Sequence, residues 1–166
     1  MPVNQGDTIH HPHHGIGRVQ SIRPRSFSGE DETRFAKVYF KREDLTLLMR
    51  KSDLAETVRT IISAREARKL LKHLETCEGE MSSQWKARAN QNEAGIESGD
   101  PYEFARVYKG LAQMQAEGES LRAADRKHLQ ISFEFLAEEL AAALDKPRAN
   151  VEKLIHKRVG LSDNDG

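Results

Sequence analysis

The spacing of apolar residues changes partway along the chain. Up to about Leu54 they alternate with polar positions and favour β-branched or aromatic types, as in Ile16-Gly17-Arg18-Val19-Gln20-Ser21-Ile22 and Phe35-Ala36-Lys37-Val38-Tyr39-Phe40. A period of two with such residues predicts a small antiparallel sheet. The runs place strands near residues 7–10, 16–24, 33–40 and 44–50, with a further strand near 55–58 completing a short-stranded barrel. Turn chemistry falls between them at Gly6-Asp7, Pro12 to Gly15, Ser28-Gly29-Glu30-Asp31 and Lys41-Arg42-Glu43-Asp44.

After Thr60 the period becomes helical. Ala67, Leu70, Leu71 and Leu74 recur at steps of three and four, and Ser63 followed by Glu66 has the form of a capping box. Thr76 to Glu80 interrupts the pattern. A second helix is expected to begin at Ser82 or Ser83 and to run to about Ala94, ending near Gly95. Asp100-Pro101 supplies an N-cap and a first-turn proline for a third, carrying Tyr102, Phe104, Ala105, Val107, Tyr108, Leu111 and Met114. A fourth runs from about Arg122 to Leu144 with Leu129, Ile131, Phe133, Leu136, Leu140 and Ala143 inward, and Pro147 separates a last one over residues 149–158. The chain therefore reads as an α+β two-domain protein. A Tudor/SH3-like β-barrel over residues 1–58 precedes an all-α bundle of about five helices over 59–160, and a polar tail occupies 161–166.

Composition narrows the function classes. The 166 residues hold 26 Lys/Arg against 26 Asp/Glu, so no global excess of charge drives binding to DNA or to acidic membranes. Nor does the boundary divide the charge: residues 1–58 hold nine basic against eight acidic side chains. Cys77 is the single cysteine and has no intrachain disulfide partner. No apolar run approaches the ~20 residues of a membrane span. A cytoplasmic protein is expected.

Trp85 is the single tryptophan and stands in the polar stretch Ser82-Ser83-Gln84-Trp85-Lys86-Ala87-Arg88-Ala89-Asn90. Two readings are open. The ring packs inward from a helix start, as most tryptophans do, or it is a wedge or stacking platform flanked by positive charge.

Other candidate chemistry is thinner. His10-His11-Pro12-His13-His14 has the residue type of a transition-metal site, but alternate side chains point to opposite faces and no carboxylate or thiol is near in sequence. A turn with solvent-facing imidazoles and no metal is expected. His73 and Cys77 stand one helical turn apart without a third orienting group, so no nucleophilic enzyme is expected. Gly15-Ile16-Gly17 lacks the lysine and helix start of a phosphate loop. Asp125 and Glu138-Glu139 read as the solvated face of the long helix, and Tyr102, Phe104, Tyr108, Phe133 and Phe135 as core.

The order of features is more specific than any one of them. Gly6-Asp7-Thr8-Ile9, Pro12-His13-His14-Gly15-Ile16-Gly17-Arg18-Val19, a sheet, Val58-Arg59-Thr60-Ile61-Ile62, Trp85-Lys86-Ala87-Arg88, Glu97-Ser98-Gly99-Asp100 and a helix through Ala105 to Leu111 follow in turn. This series resembles the CarD/CdnL family of bacterial RNA polymerase-binding transcription regulators, over nearly the whole chain from Gly6 to about Val159.

The resemblance implies a monomeric, non-enzymatic protein without a cofactor, whose barrel binds the β subunit of RNA polymerase and whose helices lie on promoter DNA. The family tryptophan, matched by Trp85, wedges into the minor groove at the upstream edge of the bubble, with Lys86 and Arg88 as basic neighbours on phosphates. Ala87 and Asn90 stand where relatives often place further cations. In the barrel, Arg25 matches a basic polymerase contact, the second such contact falls on Leu48, and Arg50 replaces a usual proline. Pairing along an exposed strand, together with Arg25, is the expected polymerase contact. His10 and His11 replace an apolar and aromatic pair. Two other readings remain: an adaptor whose helices meet another regulatory protein rather than DNA, and a His-dependent metal-binding protein.

Overall fold

The computed structural model of the chain describes residues 2–26 and 33–160; the expected turn at 28–31 and the tail at 161–166 lie outside them. The chain forms two compact units, dividing after Ile61, three residues later than the period change places the boundary. The difference arises because Arg59 and Thr60 still belong to the sheet.

In the first unit, β1 (Thr8–His11), β2 (Gly15–Arg25), β3 (Thr33–Phe40) and β4 (Leu45–Arg50) form successive antiparallel neighbours. The expected fifth strand at 55–58 is absent: Lys51–Thr57 forms a helix, α1, and the two-residue β5 (Arg59–Thr60) pairs with β1 instead. The sheet order is thus β4-β3-β2-β1-β5, with β4 and β5 as its edges. Leu54 explains the change, since α1 turns this one residue fully into the core while its polar neighbours stay outside. Ile9, Val19, Ala36, Val38, Phe40 and Leu54 make that core. Gly17, opposite Ile9 on β1 and Phe40 on β3, is required by packing: a Cβ there would lie 2.6 Å from Phe40 Cε1.

The alternation along β2 to β4 segregates two faces. Ala36, Val38 and Phe40 point to the core, while the cross-strand rows Arg23–Phe35–Arg50 and Ser21–Lys37–Leu48 lie on the other side.

The second unit contains α2 (Ala64–Thr76), α3 (Trp85–Glu97), α4 (Pro101–Ala116), α5 (Ala123–Leu144) and α6 (Arg148–Val159). Ser63 and Asp100 cap α2 and α4 as their side-chain chemistry predicts, accepting from the Glu66 and Tyr102 backbone N–H groups at 3.1 and 2.9 Å. Phe104 and Phe135 meet edge to face at 5.5 Å in the centre of the bundle. Tyr108 and Phe133 join the same core, but Tyr102 is exposed and stands edge-on to His73.

Three further expectations for the helices fail, each for a packing reason. α3 starts at Trp85 rather than at Ser82 or Ser83, because Ser82 accepts a hydrogen bond from Gln84 N in a turn ahead of it. It also runs through Gly95, whose missing side chain lets Glu103 and Arg106 of α4 approach. Asp125 and Glu139 are buried rather than solvated: Glu139 accepts the Ile62 N–H at 3.0 Å, and Asp125 is bound as described below. Glu138 is half-buried and pairs with Arg148.

Candidate nucleic-acid interface

Trp85 is the first residue of α3 and is 41% exposed, so the inward-packing reading does not hold. Its ring is covered instead by cations. Lys86 Nζ lies 5.4 Å from the ring centroid and the Arg122 guanidinium carbon 4.5 Å, the latter brought from the start of α5. Both cationic side chains are exposed. A part-exposed indole with cations at its face presents apolar area and positive charge together.

Arg88 stands apart from that exposed group. It is 5% exposed, and its guanidinium makes a bidentate pair with Asp125, Nε to Oδ1 at 2.8 Å and Nη2 to Oδ2 at 2.7 Å. Its Nη1 donates to the Ser82 carbonyl at 3.0 Å. Asp125 Oδ2 also accepts the Arg122 N–H at 3.0 Å. The Arg88 hydrogen bond, ahead of every other influence, holds the Asp125 carboxyl below its ordinary range. One buried ion pair therefore ties together the loop before Trp85, the first turn of α3 and the start of α5. It orients Trp85 and Arg122 without presenting its own charge.

The loop is fastened from its other end as well. Gly79 lies against the backbone of Gly110 so closely that a Cβ would overlap the Gly110 nitrogen, and Asn92 Nδ2 donates to Met81 Sδ at 3.3 Å. The sequence pattern around Trp85 does not single out Arg122, which lies far along the chain. One signal exists: a cation at a helix N-terminus opposes the helix dipole, so such a residue needs another reason to be there.

The expected polymerase-contact residues all fall in the first unit. Arg25 ends β2 opposite Thr33, while Leu48, 44% exposed, and Arg50 stand on β4, which among the described residues has β3 as its one strand neighbour. Arg50 and Leu48 lie in the same outer face as Arg23 and Lys37.

The histidines correct the sequence reading. His10 and His11 are buried, His14 is half-buried and His13 alone is exposed. Burial, reinforced by Arg59, lowers the His10 pKa to about 3, and burial with His14 and His13 lowers that of His11 to about 4. Both are neutral at pH 7; His11 Nδ1 accepts the His13 N–H at 3.1 Å. His14 Nδ1 is committed to Glu43 Oε2 at 3.0 Å. Among the described residues, no three His, Cys, Asp or Glu side chains are placed to hold a metal ion. Cys77 caps the C-terminus of α2, its N–H donating to the His73 carbonyl, so the link between the two residues runs through the backbone. No helix among the described residues is long and apolar enough to cross a membrane.

A family model for the CarD C-terminal domain matches residues 69–156, just over half of the chain. A Bacillus subtilis (strain 168) protein described as "Putative transcription factor YdeB" is 26% identical over 136 residues, covering 81% of this chain and 88% of that relative. The match runs from within α2 to within α6, including Trp85 and the Arg88–Asp125 pair, and with the five-stranded antiparallel unit that precedes it the chain belongs to the CarD/CdnL family.

Proposed function

We propose that this protein is a non-enzymatic transcription regulator that binds the RNA polymerase β subunit through its sheet and stabilises the open promoter complex with Trp85. The observation that carries the proposal is Trp85 itself, exposed at a helix start with Lys86 and Arg122 at its face. An apolar wedge costs a few kcal/mol of unstacking at a base step, and that cost is already met where promoter DNA is distorted at the edge of the bubble. The ring thus favours the melted junction over closed duplex and shifts the balance between them. Lys86 and Arg122 supply charge for adjacent phosphates. Arg88 acts by positioning, since Asp125 already compensates its charge.

Tethering to polymerase raises the local concentration, which lets a chain of zero net charge act on DNA. For the tether, the edge strand β4 offers backbone groups for strand addition, with Leu48, Arg50 and Arg25 as side-chain contacts. The decisive measurement is the lifetime of open complexes with wild type and Trp85→Ala. A shortened lifetime with polymerase binding retained upholds the wedge. An unchanged lifetime overturns it in favour of an adaptor whose helices meet another regulatory protein. Undiminished capture of the β subunit by Arg25→Glu would reject the Arg25 contact.

A further inference from the structure

The zero net charge of the chain conceals a segregation within the helical unit. Helices α2 and α6 carry eight Lys/Arg and three Asp/Glu, whereas residues 77–147 carry eight against thirteen. On α2, Ala67, Leu70, Leu71 and Leu74 turn to the core. Arg65, Arg68, Lys69 and Lys72 are all exposed and, at steps of three, one and three, occupy the opposite face over about 10 Å of helix. On α6, Lys153 and Lys157 are exposed one turn apart.

Two of the three acids on these helices are already engaged, and the third, Glu66, is bonded through its backbone N–H to Ser63. Arg158 Nη1 reaches Glu75 Oε1 at 2.7 Å, tying α6 to α2, and Arg148 Nε holds Glu152 at 3.0 Å. Among the described residues no ion pair or hydrogen bond from the side chains of Arg65, Arg68, Lys69, Lys72, Lys153 or Lys157 is made. Like charges three and four residues apart repel, so the stripe costs the fold a little stability and returns nothing within it.

Its composition selects among anionic partners. Protein interfaces centre on aromatic and apolar anchors and are depleted in lysine. Among the described residues the large exposed apolar side chains are Leu48, Trp85 and Tyr102; none belongs to α2 or α6, and Tyr102 stands beside α2, edge-on to His73. Closely spaced point charges without an apolar anchor match a regular row of phosphates.

We infer that the outer face of α2, with Lys153 and Lys157 of α6, is a second phosphate-binding surface that takes the backbone of double-stranded DNA, on helices other than the one bearing Trp85. It extends the reading that this unit meets DNA, but it does not require a wedge. Such contacts read no sequence; they add affinity and position the duplex.

The test is binding of the full chain to a labelled blunt duplex by fluorescence anisotropy over a series of salt concentrations. The variants are Lys69→Gln/Lys72→Gln, Arg65→Gln/Arg68→Gln and Trp85→Ala. Removing one cation from a phosphate should reduce the slope of log affinity against log salt by about 0.9, so each α2 pair variant should be shallower by nearly two. Trp85→Ala should keep the wild-type slope, and circular dichroism melts of the α2 variants should show stability at or slightly above wild type, since like-charge repulsion is relieved. Unchanged slope and affinity in both α2 variants overturn the inference. Abolished capture by polymerase holoenzyme with unchanged duplex binding also overturns it, identifying an acidic protein surface as the occupant. A failed wedge would show separately, as an open-complex lifetime indifferent to Trp85→Ala while the α2 variants still alter the slope.

Discussion

The guanidinium of Arg122 lies 4.5 Å from the centre of the Trp85 ring, although the two residues start different helices. The pairing keeps the indole exposed yet oriented, since a cation over the ring face resists its collapse onto the bundle. An exposed cation–π contact is worth about 0.5–1 kcal/mol. Arg122→Ala should therefore shorten open-complex lifetime roughly two- to fivefold, less than Trp85→Ala does, with Arg122→Lys intermediate. The check is the lifetime measurement on all three variants.

Asp125→Ala is expected to be far more damaging to the fold. It leaves Arg88 buried without its carboxylate, and breaking such a pair costs about 3–5 kcal/mol. Denaturant unfolding of Asp125→Ala, Arg88→Met and the double variant should show that the double variant loses less than the sum of the two single ones. Asp125 also sets an acid limit. Its folded pKa is lowered, so its contribution is present above the unfolded carboxylate value and is lost as pH falls through the folded one.

The sheet unit should weaken at a higher pH than that. His10 and His11 are neutral in the folded state down to about 3 and 4, whereas the unfolded chain takes up protons near 6.5. Both groups bind more protons when unfolded, so stability is full above about 6.5 and declines as pH falls towards 4. The decline approaches about 1.4 kcal/mol per pH unit for His10 and is smaller for His11. His10→Leu with His11→Phe should flatten this dependence, read from denaturant unfolding at pH 7, 5.5 and 4.5.

The contact between Gly79 and Gly110 makes a further test of the loop. A methyl on Gly79 would overlap the Gly110 backbone, which has no flexible side chain to give way. Gly79→Ala should cost about 1–3 kcal/mol by overpacking. It should also alter Trp85 emission by displacing the chain leading into α3, read from fluorescence spectra of the folded variant.

Much of the architecture is legible in the chain because it depends on short-range rules. Alternation over residues 33–40 and helical spacing over 64–76 each bury one face, and Ser63 and Asp100 stop the backbone by local hydrogen bonds. The region 51–57 is not legible in that way, because its mixed pattern holds one decisive apolar residue, Leu54, and only the sheet it packs against selects helix over strand. His10 and His11 escape for a related reason: a polar side chain gives no local sign of burial, although their place in an apolar and aromatic pair points to it.

By itself the sequence determined the two units, most of their elements and Trp85 as an apolar ring without apolar neighbours. Tertiary structure decided which charges surround that ring. Lys86 and Arg88 look equivalent in the chain, yet Arg88 is consumed by Asp125 from α5, and Arg122 arrives from the start of the same helix to take the place beside the indole. Whether a cation is presented to solvent or compensated within the fold depends on a partner far away in sequence, which only packing of the helices brings near.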